Sequence, residues 1–254
     1  MQVTIIGSGN IATVLGRTLL LKGHTVAAVY SRNAVNALRL ANELKAEALY
    51  SLNRVNADAD VVVMAVSDEA IREIAPALHL KDRLVIHTSG ALSKDVLKNT
   101  SHAYGVLWPV KMVRSSMQTL SPVTLVVDGN NAHTTEEINK LALSLSDRVI
   151  AAGDLLRSKM HLVASFSSNF ANHLYQLSAN FCEKEGLDFN LFLPLISAAV
   201  EELYQQHPAQ IQTGPALRGD VNTMQQHRKL LEAYPQMEAI YVLLSDSIRK
   251  SFHG

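Results

Sequence analysis

The chain opens on an apolar run, Gln2–Ile6, that meets Gly7, and a helical pattern follows from about Ile11 to Lys22. Thr25–Tyr30 is again short and β-rich. Asp60–Val66 (DVVVMAV) is apolar at every position after its aspartate, as expected of a parallel strand covered on both faces. A helix is expected to begin near Asp68, with Asp68 as its N-cap, and Arg83–His87 returns as a strand. His102–Leu107 and Pro122–Asp128 are two more strand candidates, the second closed by Asp128-Gly129. A helix from about Thr134 to Ser146 and a short strand, Arg148–Ala151, complete the alternation. Strands separated by helices read as βαβ units, so this part is expected to be an α/β Rossmann-like domain on a parallel sheet.

After Gly153 the strand signals stop. Asp154 to about Lys184 reads as one continuous helix ended by Gly186. Further helices are expected around Phe192–Gln206, Asp220–Ala233 and Met237–Lys250, separated by His207-Pro208, Gly214-Pro215 and Tyr234-Pro235. The expected division is therefore 1–152 for the nucleotide-binding domain and 153–254 for an all-α domain serving substrate and dimerisation.

Composition narrows the class. Of 254 residues 48% are hydrophobic and 18% charged, which excludes a disordered chain. The 23 basic and 23 acidic side chains cancel, so there is no global basic excess for binding nucleic acid through its phosphates. The single cysteine, Cys182, cannot form an internal disulfide. The start lacks a basic signal-peptide region and no stretch of 18 apolar residues occurs. A cytoplasmic protein without a membrane partner is the expectation, and no metal site is read.

Gly7-Ser8-Gly9-Asn10-Ile11-Ala12 follows a strand and opens a helix, the context in which G-x-G-x-x-A binds a dinucleotide. Gly7 allows the tight turn, Gly9 lets the backbone approach a pyrophosphate, and Ala12 keeps helix and strand close. The second strand ends Tyr30-Ser31-Arg32-Asn33, with no carboxylate until Glu43. A hydroxyl, a guanidinium and an amide suit a 2′-phosphate, so NADP is favoured over NAD; the alternative is an ordinary exposed loop arginine. Ala65, Val66 and Ser67 after the DVVVMAV strand, and Thr88 and Ser89 after His87, are expected to border the cofactor and the reacting centre. For His87 itself, a packed strand-end histidine and a catalytic one are both open.

Residues Met160 to Cys182 carry no Asp, Glu, Lys or Arg across 23 positions, too long a gap for an ordinary surface helix. At about 100° per residue, His161, Ser165, Ser168, Asn169, Asn172 and Gln176 share one arc, with Phe166, Phe170, Leu174 and Leu177 opposite. The helix is expected to be buried nearly all round, with one hydrogen-bonding face lining either a ligand pocket or a helix–helix seam. Lys159 projects away from that stripe on the same geometry and is set aside. Arg218, in Thr213-Gly214-Pro215-Ala216-Leu217-Arg218-Gly219-Asp220, could clamp a substrate carboxylate or pair with Asp220, itself a good N-cap.

The G-x-G-x-x-A start, the His87-Thr88-Ser89-Gly90 loop, Trp108-Pro109, the His161…Asn169…Asn172-His173 helix and the Thr-Gly-Pro…Arg-Gly-Asp stretch together resemble a bacterial family. Its members join a Rossmann-like domain to a helical domain of unknown function, and some are labelled NADP oxidoreductases of the deazaflavin-coenzyme-dependent type. The resemblance covers essentially the whole chain and implies dimerisation through the helical domain, with the active site in the interdomain cleft. More distantly the sequence is similar to pyrroline-5-carboxylate reductase, ketopantoate reductase and the β-hydroxyacid dehydrogenases. The last pair a helix lysine with an asparagine one turn later, a spacing that Lys159 and Asn169 do not keep.

The resulting expectation is an NADP-dependent oxidoreductase moving hydride between NADPH and a small C=O or C=N substrate: a 2-oxo acid such as ketopantoate, a cyclic imino acid, or a deazaflavin coenzyme. Asn169 would orient the substrate heteroatom, His161 or a water it holds would supply the proton, Arg218 is the candidate clamp, and Ser89 would stand at the reacting centre. The rival expectation is an NADP-binding sensor without turnover.

Overall fold

A computed structural model describes residues 1–55 and 59–253. Eight strands, β1 (Gln2–Ile6), β2 (Thr25–Tyr30), β3 (Glu47–Leu49), β4 (Val61–Met64), β5 (Lys81–His87), β6 (Ser101–Val110), β7 (Thr124–Gly129) and β8 (Arg148–Ala151), form one sheet in the order β3-β2-β1-β4-β5-β6-β7-β8. All neighbours are parallel except β6 and β7, which run antiparallel from Gly105↔Gly129 to Val110↔Thr124. The segment joining β6 to β7 carries no helix, and without a crossover element the chain can only turn back beside its own strand. The sheet is thus mostly rather than wholly parallel. The observed β4 confirms the DVVVMAV reading: Val61 to Met64 are all buried.

Helices α1 (Asn10–Leu21), α2 (Ala34–Leu44), α3 (Asp68–Ile74) and α4 (Ala132–Leu145) cover the sheet. One apolar core gathers Val3, Ile5, Val14, Leu40, Val63 and Leu141, and a second gathers Ile6, Val62, Met64, Ile71 and Leu97. Alternate residues of β1 and β4 enter different cores, which fixes their register. Asn33 and Asn131 cap α2 and α4 by accepting from the amides of Asn36 and Thr134. The cap of α3 is Ser67, which accepts from Ala70 N, rather than the expected Asp68; Asp68 instead begins the helix, where its charge favours the N-terminal dipole.

The chain divides into two compact units, Met1–Phe170 and Ala171–Gly254. The first ends with α5 (Asp154–Ala164) and a π turn, Ser165–Phe170. The second contains α6 (Ala171–Glu185), α7 (Leu193–Glu202), the one-turn helices α8 (Pro208–Ile211) and α9 (Pro215–Arg218), α10 (Val221–Leu230) and α11 (Pro235–His253). Helical backbone runs unbroken from Asp154 to Glu185, and Gly186 follows with φ 70°, the left-handed stop that glycine favours. Asp220 caps α10 by accepting from Thr223 N. Among the described residues no helix is long and apolar enough to cross a membrane.

The uncharged helix is not buried all round in the single chain. Of Met160 to Cys182 only Cys182 is buried, while Leu162, Val163, Phe166 and Phe170 are exposed. Periodicity shows that a helix has two faces, but it does not say whether the cover comes from its own chain.

Candidate active site

Strands β1 and β4 are central neighbours whose connections leave to opposite sides, so a crevice opens beyond their carboxyl ends. A cavity of about 550 Å³ lies there. Gly7, Ser8, Gly9, Asn10 and Ile11 line it from the first loop, Ser31, Arg32 and Asn33 from the end of β2, and Ala65, Val66 and Ser67 from the end of β4. Eleven of the thirteen expected cofactor residues therefore line one cavity. The other two, Ala12 and Thr88, are buried: Ala12 packs in the core beneath α1, and the Thr88 amide donates to Met64 O. Tyr30, Ala70, Ile74 and Val113 also line the cavity without a local motif to mark them.

The two loop glycines differ in their cause. Gly7 has φ 130°, and a Cβ there would lie 2.2 Å from Ala65 O, so the turn itself requires glycine. A Cβ on Gly9 would meet no protein atom within 4 Å. Protein packing therefore does not demand glycine at position 9, but a phosphate lying against the backbone would. Gly9 is also the N-cap of α1, with no side-chain cap and no acidic residue in the first turn, so the free amides remain for an anion. These residues fit a dinucleotide pyrophosphate.

Next to this cradle Ser8 and Ser31 share a hydrogen bond of 2.8 Å, and exposed Arg32 sits 3.4 Å from Glu73. The Asn10 side chain accepts from Ser115 N, and Arg17 donates to the carbonyls of Ser115 and Met117. The β6–β7 segment is thereby fastened to α1, directly beside the phosphate loop.

A second cavity, about 660 Å³, opens beside α5. His161, Ser165, Ser168 and Asn169 line it, four of the six stripe positions; Asn172 and Gln176 lie in the second unit. Lys159 lines it too, contrary to the sequence-based expectation. A helical wheel drawn at a fixed 100° failed here because the cavity wraps past Met160 to both flanks of α5, and the π turn shifts the helical phase before Asn169. Trp108, Val110, Lys111 and Met112 form the facing wall. Val113 lines the first cavity and Lys111 and Met112 the second, so one short segment borders both.

His161 is placed by a close approach. Its ring lies 5.6 Å from that of Trp108, and a Cβ on Gly90 would stand 2.6 Å from both rings. Glycine at position 90 therefore brings the β5 loop up against the imidazole. The Ser89 Oγ accepts from the amides of Ala91 and Leu92, so this side chain also shapes the loop.

Beneath the loop lies a charge cluster with no local sequence signature. Arg157, 1% exposed, donates to Leu92 O and pairs with Asp154 at 2.6 Å and Asp128 at 3.4 Å. Lys94 pairs with Asp128 at 2.9 Å, and Ser93 donates to Asp154. Burial would raise the Asp154 carboxyl, but hydrogen bonds from Ser93, Arg157 and the Lys94 amide outweigh it and hold the group below its ordinary value. His87 is buried and accepts from Ser89 N; burial first, and then the Arg157 charge, push it down to about 4. It is a neutral packed histidine. Arg218 lies in the second unit at the end of α9, followed by left-handed Gly219.

A Rossmann-type sheet with an open phosphate cradle, followed by a helical unit, defines a nucleotide-binding oxidoreductase class. Residues 2–90 match the family model described as NADP oxidoreductase coenzyme F420-dependent, and residues 123–248 match a domain of unknown function (DUF2520). A candidate NADP oxidoreductase from Bacteroides fragilis shares 32% identity with a TM-score of 0.92, covering 98% of each chain. The protein belongs to this oxidoreductase family and is an enzyme of it. A 1-pyrroline-5-carboxylate reductase from Streptococcus pyogenes matches with 13% identity and a TM-score of 0.66 over 98% of each chain. An imine reductase from Myxococcus stipitatus, solved with NADP+, matches with 18% identity and a TM-score of 0.63 over 99% of this chain and 94% of that one. These two share the fold. No curated protein matches the chain.

Proposed function

We propose that the protein is an NADP-dependent reductase or dehydrogenase acting on a small C=O or C=N compound, and that it works as a dimer through its helical unit. The observation that carries this reading is the pair of cavities bordered by Lys111–Val113, one with a phosphate cradle and one with a hydrogen-bonding wall on α5. The names of the Bacteroides and Myxococcus relatives support NADP. So does the Ser31-Arg32-Asn33 turn after β2, which itself carries no carboxylate; the one beside Arg32, Glu73, reaches it from α3.

When bound, NADPH supplies a hydride. The α1 N-terminus and Gly9 backbone hold the pyrophosphate, and Ser31 and Arg32 hold the 2′-phosphate. In the second cavity Asn169 orients the substrate oxygen or nitrogen with its amide. His161, fixed between Trp108 and Gly90, supplies the proton to that atom directly or through a water.

The test is NADPH consumption at the nicotinamide absorbance band with a panel of 2-oxo acids, cyclic imino acids and oxidised deazaflavin. At least one class should be reduced, and Asn169→Ala and His161→Ala should lower turnover at least about a hundredfold with NADPH affinity unchanged. If the stripe is instead a packing seam, these changes strip partners from polar groups and cost about 1–3 kcal/mol of stability each. A drop in melting temperature without loss of turnover overturns the assignment.

A further inference from the structure

The second cavity carries an electrostatic feature that the roles of Asn169 and His161 leave unused. Its lining includes Lys111 and Lys159 and contains no aspartate or glutamate. Among the described residues Lys159 makes no ion pair. Lys111 Nζ donates to two carbonyls, Leu120 O at 2.9 Å and Pro122 O at 3.1 Å. Those bonds steady the ammonium and leave its full charge uncompensated, with a third proton to donate. Two lysines on one concave lining that holds no acidic residue make its potential positive, and a low-dielectric wall strengthens that field. The wall is present: Trp108, Met160 and Val163 line the same cavity.

We infer that Lys111 and Lys159 form the anion-recognition end of the substrate cavity, so the substrate is a small organic carboxylate with a hydrocarbon flank. The carboxylate accepts from the two ammonium groups while the flank lies on Trp108. A hydrocarbon-poor anion such as inorganic phosphate would leave the apolar wall unmatched. This inference rests on the proposed oxidoreductase reading for the identity of the cavity, and it moves the carboxylate contact from Arg218 to the two lysines.

Trp108, the chain's single tryptophan, supplies a probe independent of turnover. The dimer loaded with NADP+ is titrated with 4-methyl-2-oxopentanoate, proline and cyclohexanecarboxylate, and in parallel with their methyl esters, following emission excited selectively at tryptophan. At least one acid is expected to give a saturable change, with its ester binding at least about tenfold more weakly, as befits loss of a charge-assisted contact. Lys111→Gln and Lys159→Gln should each weaken that acid about tenfold, Lys159→Arg should restore most of it, and Arg218→Gln should leave it unchanged. Esters that bind as well as acids, no saturation by any acid, or sensitivity to Arg218→Gln with none to the lysines would each overturn the inference. NADP+ affinity, measured separately by calorimetry, and the turnover panel report on the oxidoreductase reading. An acid that binds without being reduced therefore separates failure of that reading from failure of this one.

Discussion

Arg32, proposed to hold the 2′-phosphate, has surroundings more mixed than the local sequence implied. Its guanidinium lies 3.4 Å from Glu73, a carboxylate brought from α3, forty-one residues away in the chain. Arg32→Ala should weaken NADPH at least about tenfold more than NADH, because only NADPH presents a 2′-phosphate to the lost contact. Glu73→Gln should tighten NADPH a few-fold by freeing Arg32, and parallel calorimetric titrations of both nucleotides check the two changes together. Equal effects on both nucleotides would remove Arg32 from the phosphate site.

His87 gives a pH dependence whose sign follows from burial. An unfolded histidine titrates near 6.5, while in the fold this one is pushed down to about 4. The unfolded chain thus binds the proton more readily, and stability present above pH 6.5 is lost as pH falls toward 4. The full loss is about 3 kcal/mol. Melting curves of wild type and His87→Asn between pH 8 and 4.5 should converge as pH falls, since only the wild type must charge a buried imidazole. A constant difference across that range would contradict the burial argument.

Among the elements, α5 joins the sheet to the polar stripe proposed to meet the substrate. Its first turn is held by Arg157, Asp154 and Asp128 below the 87–94 loop, and His161 on its next turn stands against Gly90. Arg157→Ala leaves two carboxylates near a buried, unpaired hole and should cost about 3–5 kcal/mol. Arg157→Met, which fills the volume but not the charge, with Asp128→Asn should recover part of that loss in chemical denaturation. Little change in Arg157→Ala would mean that the cluster is hydrated rather than buried.

At the level of the molecule, the second unit lacks a core sufficient for itself. Among its described residues only Cys182, Ala216 and Leu231 are buried apolar side chains, while Leu191 is 72% exposed and Tyr204 85%. Exposed apolar surface on this scale is what a subunit interface would cover, and in the first unit Phe166 and Phe170 are exposed as well. Sedimentation equilibrium at micromolar concentration should give twice the 27.8 kDa chain mass, and Phe166→Lys with Leu191→Lys should lower it. A monomer in the unaltered protein would exclude the dimer.

Local periodicity and turn chemistry by themselves determined most of the alternation of strands and helices through Ala151, though not α2 or β3, together with the helical remainder, the glycine stop at Gly186 and the Asp220 cap, because each depends on neighbours within a few residues. The phosphate loop was legible for the same reason. Other features required the tertiary structure: the reversal of β7, the place of Lys159 and Lys111 on one cavity, Val113 at the cofactor crevice, and the Arg157–Asp128 cluster. Each joins residues from separate elements, which no local pattern relates. The uncharged stretch could be read as needing cover. Only the folded chain shows that all of it but Cys182 stays at least partly open in the single chain, since burial belongs to the assembled surface rather than to any segment of the sequence.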